Sequence, residues 1–371
     1  FATITAWGPN TPASPLFNNL AGLLSGLCFL LIFLTAWEPV RRKWWEVFQL
    51  SHVVLAPAAL VFGQLHQPDL YLYFLPGLIL YGLDWLVRLW RAMLCGTYHC
   101  RTVTHDKAAG VVLLEILYRR SVVADAPFTP FSVRPGDWVC LNVPRLGLFE
   151  WHPFSMVAAA PFHNGLAMSF ILRVLPDPKS FSARFAKLVD DGELAEGSRV
   201  YLEGPYGSLS SVVTKYSNVL VIAGGVGITP ALPLLRGLSR RTTSPGRARL
   251  VWALRQPSLL RATKHWLDEV AEVEHVSVDV YVTGEETGDT ELASQTLSQA
   301  EDAQGQHVTV ETGRPNIDEI VFQTLCSIED SSTPQPLLVV AIGPAPLRHA
   351  AAAAARSHWP RAHYLTEAFL W

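Results

Sequence analysis

The residues best suited to chemistry lie in one short stretch, residues 219–230. Its first part, Val219–Ala223, is apolar and rich in β-branched residues, which predicts a buried parallel strand. Three glycines that permit a tight turn and close approach to a ligand follow it: Gly224, Gly225 and Gly227. A helix is predicted next, with Thr229 as its N-cap and Pro230 at the first helical position, and Ile228, Thr229 and Pro230 are predicted to belong to the same cofactor-binding turn.

A strand, a glycine turn and a bare helix N-terminus favour a site for a pyrophosphate. The pattern is Gly-x-Gly-x-Thr-Pro, which differs from the Gly-x-Gly-x-x-Gly dinucleotide fingerprint. A tight strand-to-helix turn without a nucleotide therefore stays an alternative.

Further motifs flank this stretch along the chain. They are Trp151–Ser155, Glu203–Gly207, Trp252–Arg255, Gly313–Pro315, Ile342–Pro344 and the last five residues, Glu367–Trp371. In this order and spacing, the set resembles the ferredoxin-reductase-type flavin and NADPH module of the fungal ferric reductases, which are relatives of the NADPH oxidases. The resemblance covers nearly the whole chain, since an apolar helical region precedes the module. It implies FAD and NADPH as cofactors, with heme b in the membrane region.

Composition agrees with a membrane protein of several domains. The chain has 371 residues, of which 16% are charged, and its net charge of −3 gives no reason to expect nucleic acid. Five cysteines without metal-ligand spacing read as free thiols, although acylation of Cys95 and Cys100 is an alternative. We expect three domains: partial transmembrane helices in 1–95, an antiparallel β-barrel for FAD in 96–215 and a doubly wound α/β domain for NADPH in 216–371.

Three apolar segments are long enough to span a bilayer: Leu16–Trp37, Trp44–His66 and Leu70–Trp90. Positive residues fill the first connection (Arg41, Arg42, Lys43), whereas the second connection has none. The positive-inside rule then places everything after about residue 95 in the cytosol. We expect a multi-pass plasma-membrane protein in contact with lipid.

His52 and His66 lie fourteen residues apart in the second apolar segment. In a helix this spacing turns both rings to one side, about 21 Å apart along the axis. The resemblance implies that such a pair ligates two stacked hemes; idle, hydrogen-bonded histidines near the two interfaces are the alternative. The resemblance also requires a facing histidine pair, yet no histidine precedes His52. Either upstream residues are missing, which the initial Phe1 favours, or this variant has lost its hemes.

Short alternating strands predict the barrel: Val111–Tyr118, Trp138–Val143, Ala167–Val174 and Arg199–Glu203. The resemblance implies a flavin motif of four consecutive residues, His152, Pro153, Phe154 and Ser155. Ser155 would lie near the reactive nitrogen of the flavin, and Phe154 would hold the ring. A β-bulge with a buried aromatic residue is the alternative.

The flavin diphosphate is expected at a predicted helix N-terminus. Ser180 and Ser182 offer hydroxyls there and Arg173 offers a cation, unless it is an ordinary exposed strand arginine. The resemblance implies that the terminal aromatic residue, Trp371, covers the flavin face and swings away for hydride transfer. Alternatively, Trp371 is an ordinary aromatic residue packed in the hydrophobic core.

Strands at Val219–Ala223, Arg249–Leu254, Ser277–Val282 and Leu337–Ala341 predict the doubly wound sheet. Gly204 and Pro205 would border the nicotinamide, with Gly343 and Pro344 near the hydride-transfer point. Arg255 and Arg314 are candidates for the 2′-phosphate, and Thr283 ends a strand near the same crevice. The segment Glu285–Gln306 is interpreted as a mobile insertion.

One residue departs from the family pattern. Ile342 stands where the family usually has a cysteine before Gly-Pro, so no thiol is available beside the nicotinamide.

The resemblance implies electron transfer from NADPH through FAD and heme to ferric iron or another metal chelate. A superoxide-producing NADPH oxidase is one alternative, although oxidases usually end on Phe and not on Trp. A hemeless, membrane-tethered flavin reductase and a non-catalytic membrane partner are two more. Trp371 favours the metalloreductase over the oxidase, and the intact turn at Gly224–Pro230 argues against the non-catalytic partner.

Overall fold

A computed structural model of the chain describes residues 15–94, 96–120, 133–147, 150–163, 165–207, 209–239, 247–273, 275–284, 308–329 and 335–367. Cys95, the predicted insertion Glu285–Gln306 and the terminal Trp371 lie outside these residues. The chain divides into two compact units, Phe1–Val87 and Arg88–Trp371.

The first unit is helical. Its helices are α1 (Pro15–Ala36), α2 (Glu38–Lys43) and α3 (Trp45–His66), and α4 (Tyr71–Leu94) begins in it. α1 and α3 pack together through small residues, as apolar membrane helices do. The Ser25 hydroxyl donates to the carbonyl of buried Ala59 at 2.9 Å. Large apolar side chains such as Leu23 and Phe33 stay exposed.

Among the described residues, two helical segments are long and apolar enough to cross a membrane. They are Phe17–Ala36, with a mean hydropathy of 2.1, and Val47–His66, with 1.5. The third predicted span also forms a helix, α4, but Asp84, Arg88 and three tyrosines interrupt its apolar sequence. The first two predicted spans are thus confirmed as apolar helices of spanning length.

The second unit begins with a closed antiparallel barrel, as predicted. Its strands are β1 (Gly96–Asp106), β2 (Val111–Arg120), β3 (Trp138–Asn142), β4 (His152–Phe162), β5 (Gly165–Arg173) and β6 (Arg199–Tyr206), in the order β1-β2-β5-β4-β3-β6. Helices α5 (Phe181–Asp190) and α6 (Leu209–Val213) accompany them. Alternate side chains such as Ile116, Met168 and Phe170 fill the core with Phe185 of α5.

Two of the six barrel strands are absent from the prediction. β4 contains Pro153 and Pro161, and proline normally marks the edge or end of a strand. In β1 the buried Tyr98 and Cys100 alternate with only polar neighbours, so its apolar signal is short.

A six-stranded parallel sheet follows the barrel. Its strands and helices are β7 (Asn218–Gly224), α7 (Ile228–Ser239), β8 (Ala248–Leu254), α8 (Pro257–Ala271), β9 (Val276–Val282), β10 (Val308–Thr312), α9 (Ile317–Glu329), β11 (Leu337–Ile342), α10 (Ala345–Ser357) and β12 (Ala362–Glu367). The strand order is β10-β9-β8-β7-β11-β12, and every pairing is parallel. The chain leaves β7 toward one edge and returns to its other side at β11, which makes the junction of β7 and β11 the topological switch point.

The barrel and the sheet share one hydrophobic core. Val111, Val157 and Ile171 of the barrel belong to the same buried cluster as Leu232 and Leu235 of α7. A shared apolar core of this kind fixes two domains against each other. The second unit can therefore hold a ligand site between its domains.

Candidate functional site

The glycine turn after β7 lies at the switch point, where open α/β sheets bind their ligands. Gly225–Gly227 forms one turn of 3₁₀-helix, and α7 then begins at Ile228. A Cβ on Gly227 would lie 2.5 Å from the carbonyl oxygen of Ile342, so only glycine fits there. Gly225 has φ +53° and open space above it. The turn offers a ligand bare backbone.

The start of α7 differs from the sequence prediction. The prediction of Thr229 as N-cap and Pro230 at the first helical position is wrong, because the helix already begins at Ile228. The Thr229 hydroxyl donates to the Val226 carbonyl at 2.8 Å instead of accepting from the helix. The 3₁₀ turn leads directly into α7, so the first helical residue is Ile228, two residues before Pro230.

A second glycine loop meets the first. Gly343 follows β11 with φ +151°, and a Cβ on it would lie 3.0 Å from the amide nitrogen of Gly224. A Cβ on Gly224 would in turn lie 2.7 Å from Cδ of Pro344. The predicted residues Gly224, Gly225, Gly227, Gly343 and Pro344 therefore converge at one place.

Two side chains from elsewhere fix these loops. Nε1 of the buried Trp252 in β8 donates to the Gly225 carbonyl at 2.9 Å. Nε of Arg348 in α10 donates to the Gly343 carbonyl at 3.0 Å. Sequence reasoning missed both roles, since neither residue stands at a fixed offset from the glycine it holds.

The predicted phosphate cations lie along the same edge of the sheet. Arg255 follows β8 and Arg314 follows β10, and both are exposed. Thr283 follows β9, and its hydroxyl donates to the Leu254 carbonyl at 3.1 Å. The carboxyl ends of parallel strands form the ligand edge of such sheets. The two guanidinium groups are thus accessible at that edge, and their contact with a 2′-phosphate stays a prediction.

Ser155 in the barrel has a buried hydroxyl without a partner among the described residues. Ser155 lies in β4 opposite Trp138 of β3. A buried hydroxyl without a partner costs about 1–3 kcal/mol of folding free energy. A flavin edge would satisfy this atom, so the residue fits the predicted cofactor.

His152 is part of an ion network that sequence reasoning missed. Its Nε2 lies 3.1 Å from Oε1 of Glu150, and its ring stacks on Phe181 with centroids 4.2 Å apart. The Arg184 guanidinium also pairs with Glu150. Burial acts to raise the pKa of Glu150, but the hydrogen bonds from Arg184 and His152 outweigh it and lower that pKa. No local spacing joins Glu150 to Arg184, so no sequence pattern indicates the pair.

The neighbours of this network include the rest of the predicted flavin motif. Pro153 lies opposite Cys140 in the β3–β4 pairing, and Phe154 packs near Phe181 with ring centroids 5.9 Å apart. Phe154 is half-buried and sits against the barrel core.

The predicted diphosphate residues have intramolecular roles. Ser180 is the N-cap of α5: its hydroxyl accepts from the Ala183 amide at 3.3 Å and donates to the Asp177 carbonyl at 2.7 Å. The buried Ser182 accepts from the Leu175 amide at 3.1 Å. Arg173 is exposed at the end of β5. A diphosphate would therefore compete with the cap for Ser180, while Arg173 is accessible.

β6 ends in the predicted nicotinamide segment. Gly204 has φ +135°, and a Cβ there would lie 3.3 Å from the Trp138 carbonyl. Beyond Pro205, the Tyr206 ring packs on Trp138 at 4.8 Å between centroids, and its hydroxyl donates to Glu203. Burial, followed by that bond to Glu203, raises the pKa of Tyr206. Tyr206 therefore stays neutral at physiological pH.

Two acids near this segment were also missed. Asp137 is buried at the start of β3; its Oδ2 accepts from the Arg134 amide at 2.8 Å, and burial raises its pKa. Glu367 ends β12, and its Oε2 is buried with no partner among the described residues. Burial, followed by repulsion from Asp137, raises the pKa of Glu367 to about 7.

Ile342 has a structural role at the switch point. Its side chain is fully buried in the core shared by the barrel and the sheet. The position that carries a thiol in the family's pattern is here a packing residue.

The described cysteines are free, as predicted: Cys28, Cys100, Cys140 and Cys326. Burial raises the pKa of Cys100 and of Cys140 to about 11 in each case. Both thiols are therefore protonated at physiological pH.

The predicted heme ligands lie in α3 of the first unit. The His66 ring contacts α1, and the His52 ring lies 5.7 Å from that of Phe48. The described residues contain no cluster of three or more His, Cys, Asp or Glu side chains that could hold a metal ion. Heme ligation by His52 and His66 stays a prediction.

Comparison with known proteins agrees with this geometry. Residues 120–210 match the family model of an FAD-binding domain, and residues 216–355 match that of the ferric reductase NAD binding domain. Together the two matches cover more than half of the chain.

Three curated relatives share a large part of the chain. Ferric reduction oxidase 8, mitochondrial, of Arabidopsis thaliana is 30% identical over 64% of this chain and 31% of its own length. Ferric/cupric reductase transmembrane component 2 of Schizosaccharomyces pombe is 25% identical over 71% and 52%. A superoxide-generating NADPH oxidase heavy chain of Dictyostelium discoideum is 22% identical over 83% and 47%. The chain thus spans about half of these relatives or less.

A solved structure supports the fold. Flavohemoglobin from Malassezia yamatoensis aligns with a TM-score of 0.50 at 16% identity, covering 97% of this chain and 81% of that chain.

A closed antiparallel barrel, followed by a doubly wound sheet with glycine turns at its switch point, defines an oxidoreductase module that binds a flavin and a pyridine nucleotide. The chain contains an FAD-binding domain and a ferric reductase NAD binding domain, and its curated relatives are ferric reductases and NADPH oxidases. The resemblance inferred from the sequence is confirmed.

Proposed function

We propose that the chain is the electron-donating part of a membrane metalloreductase, with NADPH as electron donor and ferric iron or another metal chelate as acceptor. FAD, when bound, supplies the conversion of a two-electron donor into the single electrons that heme accepts. We place the protein in the plasma membrane, and the positive residues between the first two apolar helices support an orientation with both nucleotide-binding domains in the cytosol.

One observation carries the flavin part of this proposal. The Ser155 hydroxyl is buried without a partner among the described residues, in a barrel that shares its hydrophobic core with the nucleotide-binding sheet. Buried donors without a partner are few in native proteins, and a flavin edge would supply the acceptor that the Ser155 hydroxyl lacks. A flavin on this face of the barrel would lie in the same compact unit as the glycine turns.

The residues of the chain bind and orient the reactants in this proposal. Ser155 donates to the flavin edge, and Gly225 and Gly343 let the NADPH phosphates approach the backbone at the N-terminus of α7. Arg255 and Arg314 take the 2′-phosphate through bidentate guanidinium contacts, which selects NADPH over NADH. Trp371, which lies outside the described residues, would cover the flavin face until nicotinamide replaces it, as the resemblance implies.

Acceptor assays on membranes that contain the full-length protein test the proposal. We expect NADPH-dependent reduction of a ferric chelate, measured with a ferrous-specific chromogenic ligand, that superoxide dismutase does not suppress. The Gly227→Ala variant is the control and abolishes the signal. If superoxide dismutase removes the signal, the acceptor is dioxygen and the metalloreductase proposal fails.

The superoxide-producing oxidase remains the second candidate. It is favoured by the Dictyostelium relative, which aligns with 83% of this chain. Direct detection of superoxide with NADPH and no metal chelate identifies this activity.

A further inference from the structure

Asn18 and Gly22 of α1 lie one helical turn apart and face the same side chain, His66 of α3. Nδ1 of His66 lies 2.8 Å from the Asn18 carbonyl oxygen. A carbonyl oxygen only accepts hydrogen bonds, so Nδ1 must carry the proton of the neutral imidazole. The lone pair then lies on Nε2, which is the atom left free to bind a metal.

The His66 ring packs against α1 at Gly22. A Cβ on Gly22 would lie 2.8 Å from Nδ1 and 3.0 Å from Cε1 and Cγ of His66. These separations are shorter than real Cβ contacts, so any other side chain at position 22 would displace the ring. The imidazole therefore rests directly on the backbone of α1, and its orientation depends on this glycine.

A hydrogen bond from Nδ1 to a carbonyl has a known effect on histidine ligands in metal sites. A histidine ligand whose second ring nitrogen donates to a carbonyl is held in one tautomer and one orientation, and it becomes a more basic ligand. Heme iron takes such an imidazole as an axial ligand. The His66 imidazole, with Nδ1 on the Asn18 carbonyl, therefore fits one axial position of a heme.

We propose that Gly22 and the Asn18 carbonyl are positioning elements that present Nε2 of His66 to a heme iron. The inference rests on the proposed function, because it requires the full-length protein to hold heme. It adds a residue, Gly22, that touches the ligand and not the cofactor.

The chain offers matched controls on the same two helices. Gly26 lies one turn beyond Gly22 on α1, and a Cβ there would meet nothing within 4 Å. A Cβ on Gly63 of α3 would lie 3.0 Å from Cδ2 of Leu70 and 3.5 Å from the Ser25 hydroxyl, without touching His66. Gly26→Ala controls for the substitution, and Gly63→Ala controls for general crowding of the helix pair.

The test compares wild type with the three glycine variants as purified full-length proteins. The measurements are heme per flavin, the reduced-minus-oxidised heme spectrum and a redox titration of the heme with dithionite, so NADPH activity is not needed. We expect Gly22→Ala to lose about half of the heme per flavin, or to shift one of two heme midpoints, since one axial ligand is displaced. Gly26→Ala and Gly63→Ala keep the wild-type heme signature.

Three results overturn the inference. If Gly22→Ala keeps the wild-type heme content, spectrum and midpoints, Gly22 does not position the ligand. If Gly63→Ala reproduces the change, the cause is crowding and not the ring. If wild type holds flavin but no heme, the heme part of the proposed function fails, and the inference fails with it. If wild type holds heme and Gly22→Ala does not change it, only the inference fails.

If Gly22→Ala assembles poorly, a double variant still tests the inference. When His66→Ala is added, the clash with the ring disappears. We then expect assembly to return, with one heme fewer than in wild type. Continued poor assembly of the double variant would show that the ring is not what Gly22 accommodates, and it would overturn the inference.

Discussion

The two ligand-facing regions of the second unit use different kinds of atoms: backbone atoms in one and side-chain atoms in the other. At the switch point the surface is backbone: Gly225 and Gly343 are partly exposed, Gly224 is buried beneath them, and the buried Trp252 side chain bonds the Gly225 carbonyl. In the second region the features are side-chain atoms, namely Oγ of Ser155 in the barrel and Oε2 of Glu367 at the end of β12, which have no partner among the described residues. The first region therefore depends on the absence of side chains, whereas the second depends on the chemistry of particular ones.

The largest effect is expected where the backbone region has no space. Gly227→Ala places a Cβ 2.5 Å from the Ile342 carbonyl, which forces β7 and β11 apart. We expect a loss of about 3 kcal/mol in the free energy of unfolding and loss of NADPH binding, measured by thermal unfolding and by nucleotide titration.

Gly225→Ala is the comparison in the same turn. Gly225 has φ +53°, but an added methyl group would meet nothing within 4 Å, so only backbone strain of about 1 kcal/mol is expected. Equal losses for the two variants would contradict the view that close backbone packing makes Gly227 necessary.

Glu367, at the end of β12, should make stability depend on pH. Its pKa of about 7 lies above its ordinary value of 4.5, so its favourable contribution is present below pH 4.5 and is lost as pH rises through 7. Glu367→Gln removes this loss and should be more stable than wild type by about 2 kcal/mol at pH 8, with little difference at pH 4.5. Thermal unfolding across this range checks it; a pH-independent difference would exclude a buried titrating carboxyl.

Ser155→Ala separates ligand binding from folding. Removal of an unpartnered hydroxyl should leave the flavin-free protein as stable as wild type or slightly more so. Flavin reduction by NADPH should slow about tenfold, the equivalent of one hydrogen bond. Stopped-flow absorbance and thermal unfolding measure the two effects.

Ser198→Ala is the matched control for Ser155→Ala. Its hydroxyl accepts from the Ala195 amide, so its removal should cost about 1 kcal/mol of stability and leave the rate of flavin reduction unchanged. If both serine variants lose stability alike, Ser155 is an ordinary structural residue.

The smallest effect concerns the exposed cations. Arg255→Gln should raise the KM for NADPH about fivefold through loss of one charge-assisted contact, with the KM for NADH unchanged. Steady-state kinetics with both nucleotides measures this. An equal rise for NADH would mean that Arg255 does not contact the 2′-phosphate.

The same contrast explains what the sequence could reveal. The glycines and the strands around them are predictable because backbone conformation is encoded by neighbouring residues, as at Val219–Ala223 and Gly224. The ion network of Glu150 and Arg184 and the hydrogen bond from Trp252 to Gly225 join residues far apart in sequence. Only the folded chain brings these pairs together, so no local pattern indicates them.

The wrong predictions also have local origins. Threonine before proline is typical of a helix start, which favours Thr229 as the N-cap, yet the glycines already form a 3₁₀ turn before it. β4 escapes prediction because Pro153 and Pro161 are typical of strand ends. In both places, the conformation of neighbouring elements decides the structure over the propensity of single residues.

One measurement tests the central claim most directly: the absorbance spectrum of the purified full-length protein before and after NADPH is added under argon. The account predicts that the flavin absorbance bleaches and that reduced b-type heme bands appear. Flavin bleaching without heme bands would leave a flavin reductase and remove His52 and His66 as ligands. A flavin spectrum that NADPH leaves unchanged would contradict the account.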